Sequence, residues 1–178
     1  MKKNILLFSL LSLFMFSSCK TQPQDFSLIP CPSSIKKEVV KYVKLYENEE
    51  TEYDWGGQDP LPFRTLKIDC SGLVIRCYEY ALTNTNLSLP FTDTTAKEME
   101  NKYSFKTATP EAGDLIFMGE EESCDISHIA IYLKTDENGN VHFIDATQKG
   151  EINGVSERSY SSSDKKIKSY GIMAVVQQ

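Results

Sequence analysis

Apolar residues recur in the first half of the chain with the spacing of helices. Ser33 or Ser34 is predicted to cap the first helix, since either side chain suits an N-cap. Its inward face would hold Ile35, Val39, Val43 and Tyr46. A second helix is predicted from Cys70 to about Leu82, with an inward face of Leu73, Val74, Cys77 and Ala81. A third helix is predicted from Thr95, because Thr95 and Glu98 fit a capping box.

The spacing changes to that of strands after the segment "TPEAGD". Four stretches favour strands: "LIFMG", "SHIAIYL", "VHFIDAT" and "YGIMAVV". The segment "DENGN" between the second and third predicts a hairpin. By contrast, "ENEETEYDWGGQDPLPFR", between the first two helices, is predicted to be irregular because of its glycines and prolines. Helices followed by an antiparallel sheet predict an α+β domain.

The N-terminal segment is typical of bacterial export signals. Two lysines precede an apolar run of twelve residues, Ile5–Phe16. This run is too short for a membrane-spanning helix of about 20 residues, so residues 1–18 are predicted to be a signal peptide. The following Ser-Ser-Cys19 resembles a lipobox, in which Cys19 becomes the acylated first residue, although Phe16 replaces the usual aliphatic residue.

Residues 19–32 are rich in proline and are predicted to form the lipidated N-terminus and a tether, followed by one domain over residues 33–178. Several acyl chains, at about 0.8 kcal/mol per buried CH₂, would hold the protein stably on a membrane. We therefore expect an exported lipoprotein of the cell envelope. Lys20 after the lipidated cysteine favours the outer membrane over the inner membrane. The sequence leaves open whether the protein lies on the periplasmic or the surface face.

The charge of the chain is negative, with a formal value of −6, and loss of the signal would remove two lysines. An acidic surface without a basic stripe argues against nucleic acid and against peripheral binding to anionic lipid.

Five cysteines are present, and Cys19 is assigned to lipid. No C-x-x-C pair occurs and only two histidines are available, which argues against a structural zinc site. An exported protein can form disulfides, but the spacing of Cys31, Cys70, Cys77 and Cys124 leaves the pairing open. Cys70 and Cys77 are two helical turns apart on one face and cannot bridge each other.

Cys70 stands where the second helix is predicted to begin. A thiol at this position lies at the positive end of the helix dipole, beside backbone N–H groups that have no partner in the helix. Such surroundings favour the reactive thiolate, and the same N–H groups could stabilise an oxyanion. A lone cysteine of this kind is more often a buried packing residue, so a nearby base is needed for a catalytic interpretation.

Only His128 and His142 could supply that base. Alternation along "SHIAIYL" places His128 on the face of Ala130 and Tyr132. On "VHFIDAT", alternation places His142 and Asp145 on opposite faces. If His128 is the base, only one of these two residues can orient its second ring nitrogen.

Five motifs occur in the order seen in the NlpC/P60 cysteine peptidases, and the chain resembles this family from about Ser33 onward. The motifs are "YDWGG", "DCSGLV", "PEAGDLIFM", "SHIAIYL" and "FIDAT". The resemblance implies a papain-like NlpC/P60 fold, with N-terminal helices packed on a mostly antiparallel sheet and the nucleophile at a helix N-terminus. It implies a hydrolase that cleaves peptidoglycan stem peptides, usually between γ-D-glutamate and a diamino acid.

Matched residue by residue, Cys70 corresponds to the nucleophile and His128 to the base. Asp145 takes the third position, where the family often has His, and is preferred to His142. Tyr53 corresponds to a family tyrosine that acts near the oxyanion or substrate, with core packing as the alternative. Asp69 and Ser71 correspond to positions that recognise the substrate peptide, with helix capping as the alternative.

The expected reaction is acyl transfer through a thioester on Cys70, without metal or cofactor. Two alternatives stay open: an amidase or acyl-transfer enzyme of the same fold that acts on another amide or ester, and a lipoprotein that binds wall peptide without cleaving it. The expected partners are peptidoglycan peptides and, through the anchor on Cys19, a membrane. The protein is expected to be a monomer.

Overall fold

The computed structural model describes residues 27–178. The predicted signal peptide, Cys19 and most of the predicted tether lie outside the described residues. The helices are α1 (Ser33–Asn48), α2 (Cys70–Leu82) and α3 (Ala96–Lys102). The strands are β1 (Ile29–Pro30), β2 (Thr51–Tyr53), β3 (Leu66–Ile68), β4 (Leu87–Ser88), β5 (Ser104–Thr107), β6 (Leu115–Met118), β7 (His128–Thr135), β8 (Asn140–Lys149), β9 (Ile152–Ser161) and β10 (Ile167–Gln177).

The three predicted helices are confirmed. All the side chains predicted for the inward faces of α1 and α2 are buried. The N-cap of α3 is Thr95, whose hydroxyl accepts a hydrogen bond from the N–H of Glu98. None of the helices formed by residues 27–178 is both long and apolar enough to cross a membrane.

The predicted cap of α1 is wrong. The helix begins at Ser33 itself, and Pro32 occupies the N-cap position, with its carbonyl oxygen accepting from the N–H groups of Ile35 and Lys36. The fixed φ of proline suits a helix entry, and the Ser33 hydroxyl donates instead to Glu111 at 3.1 Å.

The fold is α+β, with helices packed on a mostly antiparallel sheet. The main sheet of the described residues has eight strands, with the path β1-β10-β6-β7-β8-β9 and with β4 and β5 also paired to β10. The hairpin predicted at "DENGN" joins β7 to β8. Strand β9 was not predicted, and it forms the outer partner of β8 over ten residue pairs.

The alternation of side chains on the strands divides the core in two. Ile129 and Ile131 of β7 belong to the large cluster that also contains the inward faces of α1 and α2. Ala130 and Tyr132 belong to a smaller cluster on the opposite face, together with Val141 and Phe143 of β8 and two apolar side chains of β6. The predicted assignment of the two faces of β7 is therefore confirmed for these residues.

Two segments predicted to lack regular structure are ordered into strands. Ile29 and Pro30 pair with β10 and Cys31 is buried, so the predicted tether stops short of these residues. Thr51–Tyr53 pairs in parallel with Leu66–Ile68, within a segment predicted to be irregular. In both cases an existing strand or a neighbouring segment supplies the hydrogen bonds, which local residue preference does not reveal.

Two glycines bring the segment after β2 against the start of α2. A Cβ atom added to Gly72 would lie 2.1 Å from the carbonyl oxygen of Gly57, and one added to Gly57 would lie 2.6 Å from the carbonyl oxygen of Lys67. Both contacts are with backbone atoms, which cannot rotate away. The "WGG" and "DCSG" motifs therefore depend on each other for packing.

We expect Gly72→Ala to lower the free energy of unfolding by about 1–3 kcal/mol, because the methyl group must displace the backbone at Gly57. Urea denaturation monitored by circular dichroism measures this loss. Ser34→Ala, at an exposed position of α1, is the control for adding alanine to a helix. Equal stability of the two variants would contradict the close packing at Gly72.

Candidate active site

Cys70 is the first residue of α2 and is nearly buried, with 7% of its surface exposed. The preceding residue, Asp69, caps the helix: its Oδ1 accepts from the N–H of Gly72 at 2.7 Å and from the hydroxyl of Ser71 at 3.0 Å. Its Oδ2 accepts from the N–H of Gly56 at 2.9 Å. Asp69 thus fixes both the helix start and the glycine loop beside the thiol.

His128 and Asp145 lie side by side on adjacent strands. The register pairs Ile131 with Ile144, so Asp145 lies opposite Ala130 and one diagonal step from His128 on the same face of the sheet. The Nε2 atom of His128 contacts the Oδ2 atom of Asp145. The thiol of Cys70 also lies near the ring, close enough to help raise the pKa of the imidazole. The three side chains proposed from the sequence are therefore together.

The surroundings of His128 and Asp145 favour the charged form of both side chains. Burial opposes the charge on His128, but hydrogen bonds to Asp145 and Cys70 outweigh it and raise the pKa of the imidazole to about 9. Burial likewise opposes the charge on Asp145, but hydrogen bonds from His128 and Arg158 lower the pKa of that carboxyl below its ordinary value. At neutral pH the pair is accordingly an imidazolium and a carboxylate.

Arg158 is a member of this group that the sequence analysis missed. Its Nε donates to Oδ1 of Asp145 at 2.9 Å, and a terminal nitrogen contacts Oδ2. Arg158 lies on β9, a strand whose apolar side chains do not recur at every second position. Those side chains are Ile152, Val155 and Tyr160. The sequence carries no period-two signal here, and without β9 nothing connects Arg158 to Asp145.

Tyr53 lies close to the thiol. It ends β2, and its partner Ile68 in β3 immediately precedes Asp69 and Cys70. Burial, together with negative charge on Cys70 and Asp69, raises the pKa of Tyr53 to about 12. The phenol therefore keeps its proton near neutral pH and can act as a hydrogen-bond donor.

Two cavities flank the Cys70–His128 pair and differ in charge. A cleft of about 640 Å³ on the Cys70 side has three acidic side chains and one lysine in its wall. They are Asp69, Asp93, Glu98 and Lys97. Trp55, which is 85% exposed, stands at its edge. A smaller cavity of about 210 Å³ on the His128 side is lined by Lys149, Arg158, Lys166 and Glu120. Ser127 borders both cavities.

His142 lies away from this site. Its ring nitrogens are 3.1 Å from Asp136 and 3.3 Å from Glu157. The structure thus brings Asp145, and not His142, to His128.

The other described cysteines differ from Cys70 in their surroundings. Cys31, Cys70, Cys77 and Cys124 all have free thiols. Burial raises the pKa of Cys31 to about 12 and that of Cys77 well above its ordinary value, so both stay protonated. Among residues 27–178, no group of three or more His, Cys, Asp or Glu side chains is placed to hold a metal ion.

The chain belongs to the NlpC/P60 family, whose model matches residues 50–172. Among solved structures, the chain is similar to Ly7917, with 12% identity over 80% of this chain and a TM-score of 0.48. It is also similar to Ly7917 with the hydrolyzing product of MDP, again with 12% identity over 80% of this chain and a TM-score of 0.47. The match spans 62% of the Ly7917 chain in both cases. No curated protein matches the chain at a significant level.

We expect His128 to titrate near pH 9 and Asp145→Asn to move its midpoint down, because the variant removes the carboxylate charge. Since the folded-state pKa lies above the unfolded value of about 6.5, the ion pair stabilises the fold fully below that pH and its contribution is lost as the pH rises through about 9. Histidine NMR titration measures the midpoint, and only two histidines need assignment.

Asp136→Asn is the matched control for this titration, because it removes a carboxylate that contacts His142 and leaves His128 untouched. A wild-type midpoint of His128 at or below its ordinary value would contradict the ion pair.

Proposed function

We propose that the protein is a cysteine peptidase that hydrolyses peptidoglycan stem peptides through a thioester on Cys70. The observation that carries the proposal is the position of a thiol at the start of α2, next to an imidazole that a buried carboxylate holds in its charged form. An imidazolium beside a thiol favours the thiolate, which is the nucleophile.

In the first step, the sulfur of Cys70 attacks the carbonyl carbon of the scissile amide, and the carbonyl oxygen becomes an oxyanion. Asp69 already accepts from the N–H of Gly72, which leaves the N–H groups of Cys70 and Ser71 at the helix start to stabilise that oxyanion. The protonated hydroxyl of Tyr53 is a further donor close to the sulfur. These donors are fixed before the substrate arrives.

The imidazolium of His128 then donates its proton to the leaving amine, the carbon–nitrogen bond breaks, and the acyl group remains on sulfur as a thioester. The neutral imidazole next accepts a proton from water, which attacks the thioester and releases the carboxylic acid. Asp145 holds Nε2 of the ring throughout, so the other ring nitrogen faces the sulfur and the reacting groups. His128 is protonated again at the end of the cycle.

The substrate proposal rests on the family and on the charge of the cleft. The NlpC/P60 match supports wall peptides, and within them we propose the bond between γ-D-glutamate and a diamino acid. The acidic wall of the 640 Å³ cleft suits a peptide segment that carries an amino group. Asp69 and Ser71 line this cleft as well as capping α2, and we propose that they contact the peptide there.

We also propose that the protein works at the cell envelope as a lipoprotein anchored through Cys19. The support is the sequence "MKKNILLFSLLSLFMFSSC", in which a short apolar run ends at a lipobox-like cysteine. Residues 27–178 would then form the part of the protein that reaches the wall.

We expect Cys70→Ala to abolish cleavage of defined muropeptides, with a fall in rate of at least about 10³-fold, because the nucleophile is lost. We expect Asp145→Ala to lower the rate by about 10²- to 10⁴-fold, because His128 loses its orienting partner. Mass spectrometry of the digests identifies the bond cleaved. Cys124→Ala, at an exposed free cysteine, should keep wild-type activity. Unchanged cleavage by a folded Cys70→Ala protein would refute the mechanism.

We expect cells that express the full chain to incorporate labelled palmitate into the protein, and Cys19→Ala to abolish that label while export continues. The control variant is Cys31→Ala, which removes the next cysteine along the chain. Equal labelling of the wild-type and Cys19→Ala proteins would exclude the anchor at Cys19.

A further inference from the structure

We propose that Arg158 is a positioning residue that keeps Asp145 ionised, so that the proton shared by Asp145 and His128 stays on His128. This inference rests on the proposed function for its catalytic consequence, and its electrostatic content is measurable without any substrate.

Asp145 has no exposed surface and lies between two cationic side chains. His128 contacts one carboxylate oxygen, and the guanidinium of Arg158 contacts both. A two-point contact of this kind holds a carboxylate in one orientation, which a lysine or a single hydrogen bond cannot do as well. The three side chains occupy one face of three adjacent strands, because the register pairs Phe143 with Arg158 and Asp145 with Ser156.

Arg158 is itself held in place by two aromatic rings. Its guanidinium carbon lies 5.3 Å from the centre of the Phe143 ring and 5.5 Å from that of Tyr160. Its third nitrogen donates to the hydroxyl of Tyr160 at 3.0 Å. The cation therefore cannot move away when the charge of the neighbouring His128 changes.

The need for a second cation follows from the reaction itself. His128 is an imidazolium before it donates its proton to the leaving amine and is neutral afterwards. If His128 were the only cation near Asp145, the buried carboxylate would lose its counterion at that moment and would compete for the proton. Arginine stays protonated at every working pH, so Arg158 stabilises the carboxylate in both states of His128.

The charged and titratable groups around His128, Asp145 and Arg158 come from α2, from β8 and β9, and from the segments after β6 and before β10. Cys70 at the start of α2 faces His128, and Tyr160 on β9 faces Arg158. Lys166, before β10, lies over the ring of Tyr160, 5.4 Å from its centre. Lys149 and Glu120 line the cavity beside Arg158. None of these groups touches the Asp145 carboxylate, whose charged partners among the described residues are Arg158 and His128.

The experiment is histidine NMR of ¹⁵N-labelled full-length protein across pH, comparing the wild type with Arg158→Gln, Arg158→Lys and Lys166→Gln. In the wild type, both ring nitrogens of His128 should give imidazolium signals at pH 7. The His128 signals should also show a second inflection, at a pH below the ordinary pKa of an aspartate, that reports protonation of the adjacent Asp145. In Arg158→Gln the imidazolium signals should weaken, and the low-pH inflection should rise by about 1–3 pH units, because the opposite charge is gone.

Arg158→Lys keeps the charge and should restore most of the wild-type titration. Lys166→Gln removes a cation from the same cavity without touching Asp145 and should leave the titration unchanged. The proposal is overturned if Arg158→Gln titrates like the wild type, even when its thermal stability falls, because the arginine would then have only a packing role.

A double variant tests the proposal if Arg158→Gln does not fold. Asp145→Asn removes the buried charge that Arg158 balances, so a protein with both Asp145→Asn and Arg158→Gln should fold where Arg158→Gln alone does not. A double variant that also fails to fold would overturn the proposal, because the arginine would then be needed for packing.

Activity provides a separate test of the catalytic consequence. Arg158→Gln should lower the rate of muropeptide hydrolysis by about 10- to 100-fold, the size of loss seen when metal-binding histidines lose an outer partner. If the wild type cleaves no muropeptide while the titrations behave as described, the proposed function fails and the role of Arg158 in ionising Asp145 stands.

Discussion

The geometry of the candidate active site depends on how the start of α2 is placed against the start of β7. Helix α2 is apolar over most of its surface, and its burial against the sheet holds it in a fixed position. That position brings Cys70 to the point where β7 begins with His128. The fit is close because Gly57 and Gly72 leave no room for side chains between their backbones, and Asp69 ties the glycine loop to the first turn of α2. Packing thus supplies the precision that the chemistry requires.

A row of alternating charges crosses the sheet from this point. It runs from His128 on β7 through Asp145 on β8 to Arg158 on β9, and each member touches the next. Burial destabilises each charge on its own, and contact with a neighbour of opposite sign offsets that desolvation penalty. The structure thus provides a cation on both sides of the buried carboxylate.

The four described cysteines lie in different surroundings. Cys31 and Cys77 are buried, and burial penalises the thiolate. Cys124 is exposed and lies beside carboxylates and lysines rather than an imidazole. Cys70 alone combines a helix start with an adjacent imidazolium, and it opens on a cleft large enough for a peptide. The charged side chains that line the cleft beside Cys70 are mostly acidic, and those that line the cavity beside His128 are mostly basic. The electrostatic potential therefore differs between the two sides of the site.

The sequence by itself determined the three helices, four strands of the sheet and the hairpin between β7 and β8, because each is encoded by local spacing and turn residues. It also determined that His142 and Asp145 face opposite ways, since alternation in a strand is a local property. Only the tertiary structure decided that Asp145 is the residue beside His128, because that depends on the register between β7 and β8. Only the tertiary structure revealed β9 and Arg158, because the pairing of a polar strand at the edge of a sheet comes from its neighbour and leaves no periodic signal in its own residues.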